Sequence, residues 1–178
     1  KKGQADAITF MSKTPEREGF AYFEEGNRLA LVQNGFFTLK QTAPTILYSG
    51  DMRQLQPYTI GFIRGRRSFP DFDQATFLTK NESAKDEEQL LNMLMFKRFE
   101  VGMAPIARVK YIAMQKKIDE QLVYLQPLGP ALPTYLAFAK AKGHGPLAKE
   151  FAHTMGVIKR SPQFQDILKK YGVKPGDY

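Results

Sequence analysis

Residues 83–104 read SAKDEEQLLNMLMFKRFEVGMA, and how this stretch divides decides the fold class. Ser83 stands where an N-cap would, Asp86 and Glu87 fall in a first helical turn, and Leu90, Leu91, Leu94 and Arg98 follow at helical spacing. That spacing predicts a helix running to about Arg98. The next residues, 99–104 (FEVGMA), turn to a short extended run that Pro105 stops. Upstream, residues 58–63 (YTIGFI) form a compact predicted strand ending at Arg64-Gly65-Arg66-Arg67-Ser68. Strand, crossover helix, strand is the signature of a parallel sheet, so the fold class is α/β.

Working outward, residues 6–10 read as a buried strand. Residues 28–40 (RLALVQNGFFTLK) read as a longer extended segment, broken near Asn34-Gly35 because Asn-Gly is a favoured turn pair. A second helix is predicted over 106–117. Strands follow at 122–125 and 134–139, separated by Pro127, Gly129, Pro130 and Pro133. The end is helical: Leu147, Phe151, Met155 and Ile158 share one face, then Ser161-Pro162 restarts a helix that carries Phe164, Ile167, Leu168 and Tyr171 to a Gly172 stop. No internal repeat or low-complexity tract interrupts the pattern.

The 178 residues, 43% of them hydrophobic, suffice for one domain or two small lobes with a real core. No run approaches the roughly 18 consecutive apolar residues of a membrane-spanning helix. Without cysteine there are no disulfides and no thiolate ligands or nucleophiles. Two histidines in no metal-binding spacing give no metal site, and no cofactor is expected. The net charge of +8 would suit nucleic acid or small anions. The basic pairs are scattered among acidic and apolar neighbours, as on solvated faces, and this weighs against a nucleic-acid stripe.

Two places carry chemistry. In residues 6–20 (DAITFMSKTPEREGF) a strand leads into Ser12, Thr14 and Arg17. An arginine fork can meet both oxygens of a carboxylate, with hydroxyl and backbone donors beside it. The competing readings are a surface Arg17 paired with Glu16 or Glu18, and Ser12 and Thr14 capping a turn before Pro15. Lys13 is expected to point to solvent. At Gly65 to Ser68, a strand feeds a glycine turn and then a helix, where backbone N–H groups can face an anion; the alternative is a basic surface turn. Phe10, Tyr22, Phe23, Phe36 and Phe37 could line a cleft or fill a core, with Phe10 the foremost cleft residue.

Three motifs and the chain's ending carry a resemblance. KKGQADAITFMSKTPEREGFAYF, IGFIRGRRSF and EEQLLNMLMFKRFEVGMA, followed by TYLAFAKAKGHGPLAKEFAHTMGVIKRSPQFQDILKKYG, resemble the type II periplasmic solute-binding proteins of family 3, associated with polar amino-acid uptake by ABC transporters. The resemblance implies a two-lobed α/β fold, each lobe a mixed sheet flanked by helices. Lobe 1 would comprise 1–33 and 131–178, lobe 2 would comprise 34–130, and hinge strands would lie near 29–33 and 125–136. Family members carry roughly 50 to 80 further residues ahead of the helix ending at Lys1-Lys2-Gly3, so lobe 1 is expected to be incomplete.

By the same resemblance Arg17 holds a ligand carboxylate with donors from Ser12 and Thr14, and Gly65, Arg67 and Ser68 meet it from lobe 2. Arg67 replaces the family's second glycine, and Arg66 or Arg67 would add a cation that usual members lack. Beyond the third motif, where the family places a carboxylate for the ligand ammonium, this chain has Ala104-Pro105. Glu100 sits earlier, as a strand-end residue. That departure weighs against a standard α-amino acid. The expected function is a periplasmic, monomeric receptor that closes around a small anionic or zwitterionic solute, partnered by an ABC permease, with no catalytic residue. The alternatives are a dehydratase-like enzyme of the same fold and a ligand-sensing effector domain of a regulator.

Overall fold

A computed structural model describes residues 5–170. The residues expected to end a preceding helix, Lys1 to Gly3, and to stop the last one, Tyr171 and Gly172, lie outside the described residues. The chain divides into two compact units: one holds the residues up to Val32 and from Leu132 onward, the other Gln33–Ala131.

In the first unit, strand β1 (Ala7–Ser12) pairs antiparallel with β8 (Ala131–Ala139), with Ile8 opposite Ala137 and Ser12 opposite Thr134. The short β2 (Ala21–Tyr22) also pairs with β8, Tyr22 opposite Phe138. Between β1 and β2 lies one helical turn, α1 (Pro15–Glu18). The expectation of a buried first strand is corrected: Ile8 is 51% and Phe10 63% exposed. The pairing register shifts between Ile8 and Met11, and Phe10 takes a left-handed backbone at φ 55°, so the strand bulges and its apolar residues do not all turn inward.

Helices α5 (Gly145–Lys159) and α6 (Pro162–Lys170) complete this unit. Ser161 Oγ accepts from Phe164 N at 3.2 Å, the N-cap read from the sequence. A 3₁₀ turn at Glu25–Asn27 packs on α5, where the fully buried Asn27 donates Nδ2–H to the Ala148 carbonyl at 3.2 Å.

The second unit is built on a mixed sheet. Strand β3 (Arg28–Leu39) enters it from the first unit and pairs antiparallel with both β6 (Val101–Pro105) and β7 (Leu122–Tyr124). Strand β4 (Thr59–Ile63) runs parallel to β6 and to β5 (Thr79–Ala84). The parallel pairing expected across the crossover helix is present, with Ile60 opposite Val101. Helix α2 (Pro70–Gln74) joins β4 to β5, α3 (Glu87–Met95) joins β5 to β6, and α4 (Ile106–Gln115) follows β6.

Three readings of this unit are corrected. Ser83 belongs to β5, and the N-cap of α3 is Asp86, whose Oδ1 accepts from Gln89 N at 2.7 Å. Helix α3 ends at Met95 rather than near Arg98, and β6 begins at Val101. Asn34-Gly35 is no break: β3 runs straight through it, with Gly35 opposite Ala104. Glycine stands there because a Cβ would lie 2.8 Å from Leu128 and 2.9 Å from Ile106, so the need is close packing and not a turn.

Alternation along the strands sends successive residues to opposite faces. Phe37, Ile63 and Ala104 join Leu90, Leu91 and Leu94 of α3 and Val109 and Ile112 of α4 in one buried cluster. Burying each leucine of that set stabilises the unit by about 1.5–3 kcal/mol. Phe36, Phe62, Phe69 and Phe72 form an aromatic cluster whose ring centroids lie 5.3 to 6.5 Å apart. Phe36 and Phe37 are thus core residues with no exposed surface, as their place in a strand suggested.

Candidate functional site

The end of β1 holds the first set of predicted residues. Thr14 has an extended backbone and caps α1, its Oγ1 accepting from Arg17 N at 3.3 Å, while Pro15 fills the first helical turn where its missing N–H costs nothing. This turn swings Arg17 back over the strand end, and Arg17 Nη1 donates to the Ser12 carbonyl at 3.0 Å. Ser12, Thr14 and Arg17 are therefore brought together. The capping alternative does describe Thr14. Among the described residues Arg17 makes no ion pair, and Glu18 takes Lys13 Nζ at 3.2 Å. That contact, a hydrogen bond first and a charge attraction second, raises the Lys13 pKa above the usual lysine value.

Phe10 lies on the bulge two residues before Ser12, largely exposed. Behind the strand end Tyr135, opposite Met11, donates its hydroxyl to Glu25 Oε1 at 3.2 Å. Burial first, then the Glu25 charge, raises the Tyr135 pKa. Neither the Lys13–Glu18 pair nor the Glu25–Tyr135 bond was legible in the sequence. Both join side chains that periodicity does not relate.

The second set lies in the other unit, at the turn between β4 and α2. Arg64 N donates to the Ala84 carbonyl at 2.9 Å and Arg66 N to the Ile63 carbonyl at 3.1 Å, while Gly65 takes φ 68°, a left-handed conformation that suits glycine. Arg66 forms an ion pair with Glu87. Ser68 is buried; its N–H donates to the Asp73 carboxylate at 3.1 and 3.3 Å and its hydroxyl to Met103 Sδ at 3.3 Å. Asp73 thus brings the turn an anion of its own.

Gly65 and Arg67 border a cavity of about 200 Å³, together with Arg66, Asp73, Lys80 and Glu82 and the rings of Phe62 and Phe72. Ser68 is not among its walls. Sequence reading missed Glu82 because β5, which carries it, is an edge strand of polar residues without alternation, and Asp73 because its contact depends on where α2 begins.

At the end of β6, Ala104 is buried opposite Gly35 and Pro105 lies opposite Asn34, so this strand end carries no carboxylate. Glu100 serves the sheet: its Oε2 accepts from Thr59 N at 2.9 Å and its carbonyl from Thr38 Oγ1 at 2.6 Å. Among the described residues no cluster of three or more metal-binding side chains occurs, and no helix is long and apolar enough to cross a membrane.

No protein-family model and no curated protein matches the sequence. The fold has close counterparts among solved structures. A solute receptor for L-cysteine of Neisseria gonorrhoeae superposes with a TM-score of 0.75 at 20% identity, over 97% of this chain and 69% of that one. A periplasmic binding protein of Salmonella typhimurium with high arginine specificity gives 0.69 at 17% identity, over 94% and 72%. A histidine kinase sensor domain with similarity to periplasmic binding proteins gives 0.77 at 14% identity, over 98% and 74%. With its β4–β6 parallel pair, crossover helices and returning strand β8, the chain has the α/β fold of the type II periplasmic solute-binding proteins, the family its sequence motifs resemble.

Proposed function

We propose that the chain is an extracytoplasmic solute-binding receptor that holds a small anionic or zwitterionic solute by a carboxylate on Arg17, for uptake by an ABC-type transporter. The observation that carries this reading is the posture of Arg17. One guanidinium donor is fixed on the Ser12 carbonyl, the nearby Glu18 is taken by Lys13, and the rest of the fork stays available for a carboxylate. Receptors for L-cysteine and for arginine among the structural neighbours support it. That these neighbours are binding proteins favours a non-catalytic role.

A thermal-shift panel of polar amino acids and small carboxylates tests the proposal. At least one solute raises Tm by mass action. Its affinity then falls by about 10- to 100-fold in Arg17→Ala, the loss expected for hydrogen bonds to a charged group. A panel whose hits are all indifferent to Arg17→Ala would sink the reading.

A further inference from the structure

Helices α3 and α4 both belong to the second unit and lie side by side on its sheet. Each returns from the end of one parallel strand to the start of the next, from β5 to β6 and from β6 to β7. They therefore run in the same direction and end at the same edge. Their inner residues, Leu90, Leu91 and Leu94 of α3 and Val109, Ile112 and Ala113 of α4, are buried in the common cluster. At about 100° per residue, the positions opposite these stripes fall on Phe96, at the close of α3, and on Tyr111 and Met114 of α4. A solvated helix face would be polar there. Instead Phe96 is 78%, Met114 65% and Tyr111 56% exposed.

Positive charge surrounds these three side chains. Arg108 and Lys110 flank Tyr111, Arg108 standing over its ring at 5.7 Å and Lys110 over the Tyr124 ring at 5.1 Å. Lys97, Arg98 and Lys117 follow the two helix ends, so basic pairs far apart in the chain are carried to one edge. Among the described residues none of these five cations makes an ion pair, while the outward acid of α3, Glu88, is taken by Lys116 at 2.7 Å. No acidic residue occurs from Val101 to Ile118, and Asp119 and Glu120 stand beyond.

We infer that the outer face of α3 and α4 docks peripherally on an anionic lipid surface, with the five cations at the headgroup phosphates and Phe96, Tyr111 and Met114 in the acyl boundary. Charge complementarity selects an anionic partner. The exposed apolar side chains among the cations select lipid over nucleic acid, to which a methionine offers neither charge nor a stacking plane. The lysine and arginine stems add apolar length while their charges stay at headgroup level.

Co-sedimentation of the full chain with vesicles tests this, using phosphatidylcholine alone and phosphatidylcholine mixed with phosphatidylglycerol. Binding is expected to the mixed vesicles only, and should fall as salt rises from about 0.1 to about 1 M, because the Debye length shrinks from about 10 to about 3 Å. Arg108→Gln with Lys110→Gln should weaken it about 25-fold, near 5-fold for each charge. Phe96→Ser with Met114→Ser should weaken it about 10-fold. Both pairs should leave Tm unchanged, since all four side chains are exposed. Lys149→Gln with Lys169→Gln, an equal loss of exposed charge in the first unit, should leave binding intact. No binding to the mixed vesicles, or equal binding to phosphatidylcholine alone, would overturn the inference. So would indifference to either second-unit pair, or an equal loss in the first-unit pair, which would mean adsorption by net charge. Tighter binding of a mixed-sequence DNA duplex, lost with Arg108 and Lys110, would assign the face to nucleic acid instead.

Discussion

Arg17 combines a fixed position with spare donors, and its shape matters as much as its charge. Lysine at this position keeps the charge but loses the planar fork. Arg17→Lys is therefore expected to weaken solute binding about 10-fold, while folding stability measured in urea stays unchanged. Asp6 offers a test by pH. Its Oδ1 receives His144 Nε2 at 2.8 Å and Lys142 Nζ at 3.0 Å, and these contacts, the His144 hydrogen bond foremost, lower its pKa below 3.8. A depressed carboxylate contributes stability that is complete above its unfolded pKa and is lost as pH falls through the folded one. The Asp6 contribution is thus expected to be present above about pH 4 and to vanish below it, and Asp6→Asn should remove that part of the acid dependence seen by urea melts between pH 2 and 6. At this scale Arg17, Ser12 and Thr14 stood out through the motif's resemblance to a known family, while their spacing alone left a surface ion pair and a turn cap equally open. The Asp73 carboxylate on Ser68 N–H was hidden, since it depends on where α2 begins.

Helices α3 and α4 end alike. Lys97 N and Arg98 N close on the Leu94 and Met93 carbonyls at 2.8 and 3.0 Å, and Lys117 N and Ile118 N on those of Met114 and Ala113 at 3.1 and 2.9 Å. Both lysines sit at φ 56°, where a side chain costs roughly 1–2 kcal/mol. Glycine relieves that strain but brings its own unfolded-state entropy of about 0.4–1 kcal/mol. Lys97→Gly should therefore stabilise the protein by about 0.5–1 kcal/mol, read as a higher urea midpoint. At the other end of α3, Asp86→Ala removes the cap on Gln89 N and should cost about 1 kcal/mol by the same measurement. The helix was legible from Leu90, Leu91 and Leu94, while its limits were not. Ser83 and Asp86 are both competent caps, and the strand β5, with the polar residues TKNESA, has no apolar period to announce itself.

Across the whole chain, buried apolar side chains are concentrated in the second unit, on both faces of β3, β4 and β6. The first unit buries far fewer, chiefly Ala21, Tyr135, Ala137, Phe138, Ala148 and Leu168. Native-state hydrogen exchange should follow this contrast, slowest at residues 60–62 and 101–103 and fastest along β1, with the reverse order refuting it. Among the described glycines the closest approach is at Gly61, where an added Cβ would stand 2.2 Å from the Phe99 ring. Phe99 is itself buried and cannot move aside, so Gly61→Ala should destabilise by at least about 1–3 kcal/mol in urea melts. The sequence alone determined the α/β class and the parallel β4–β6 pair, because periodicity, caps and turn chemistry are local properties of the chain. Only the tertiary structure decided that Asn34-Gly35 runs straight through a strand, that β1 bulges into solvent, and that Arg67 and Glu82 share one cavity. Each of these turns on which distant side chain occupies a given space, and Leu128 and Ile106 at Gly35 leave no trace in the residues beside it.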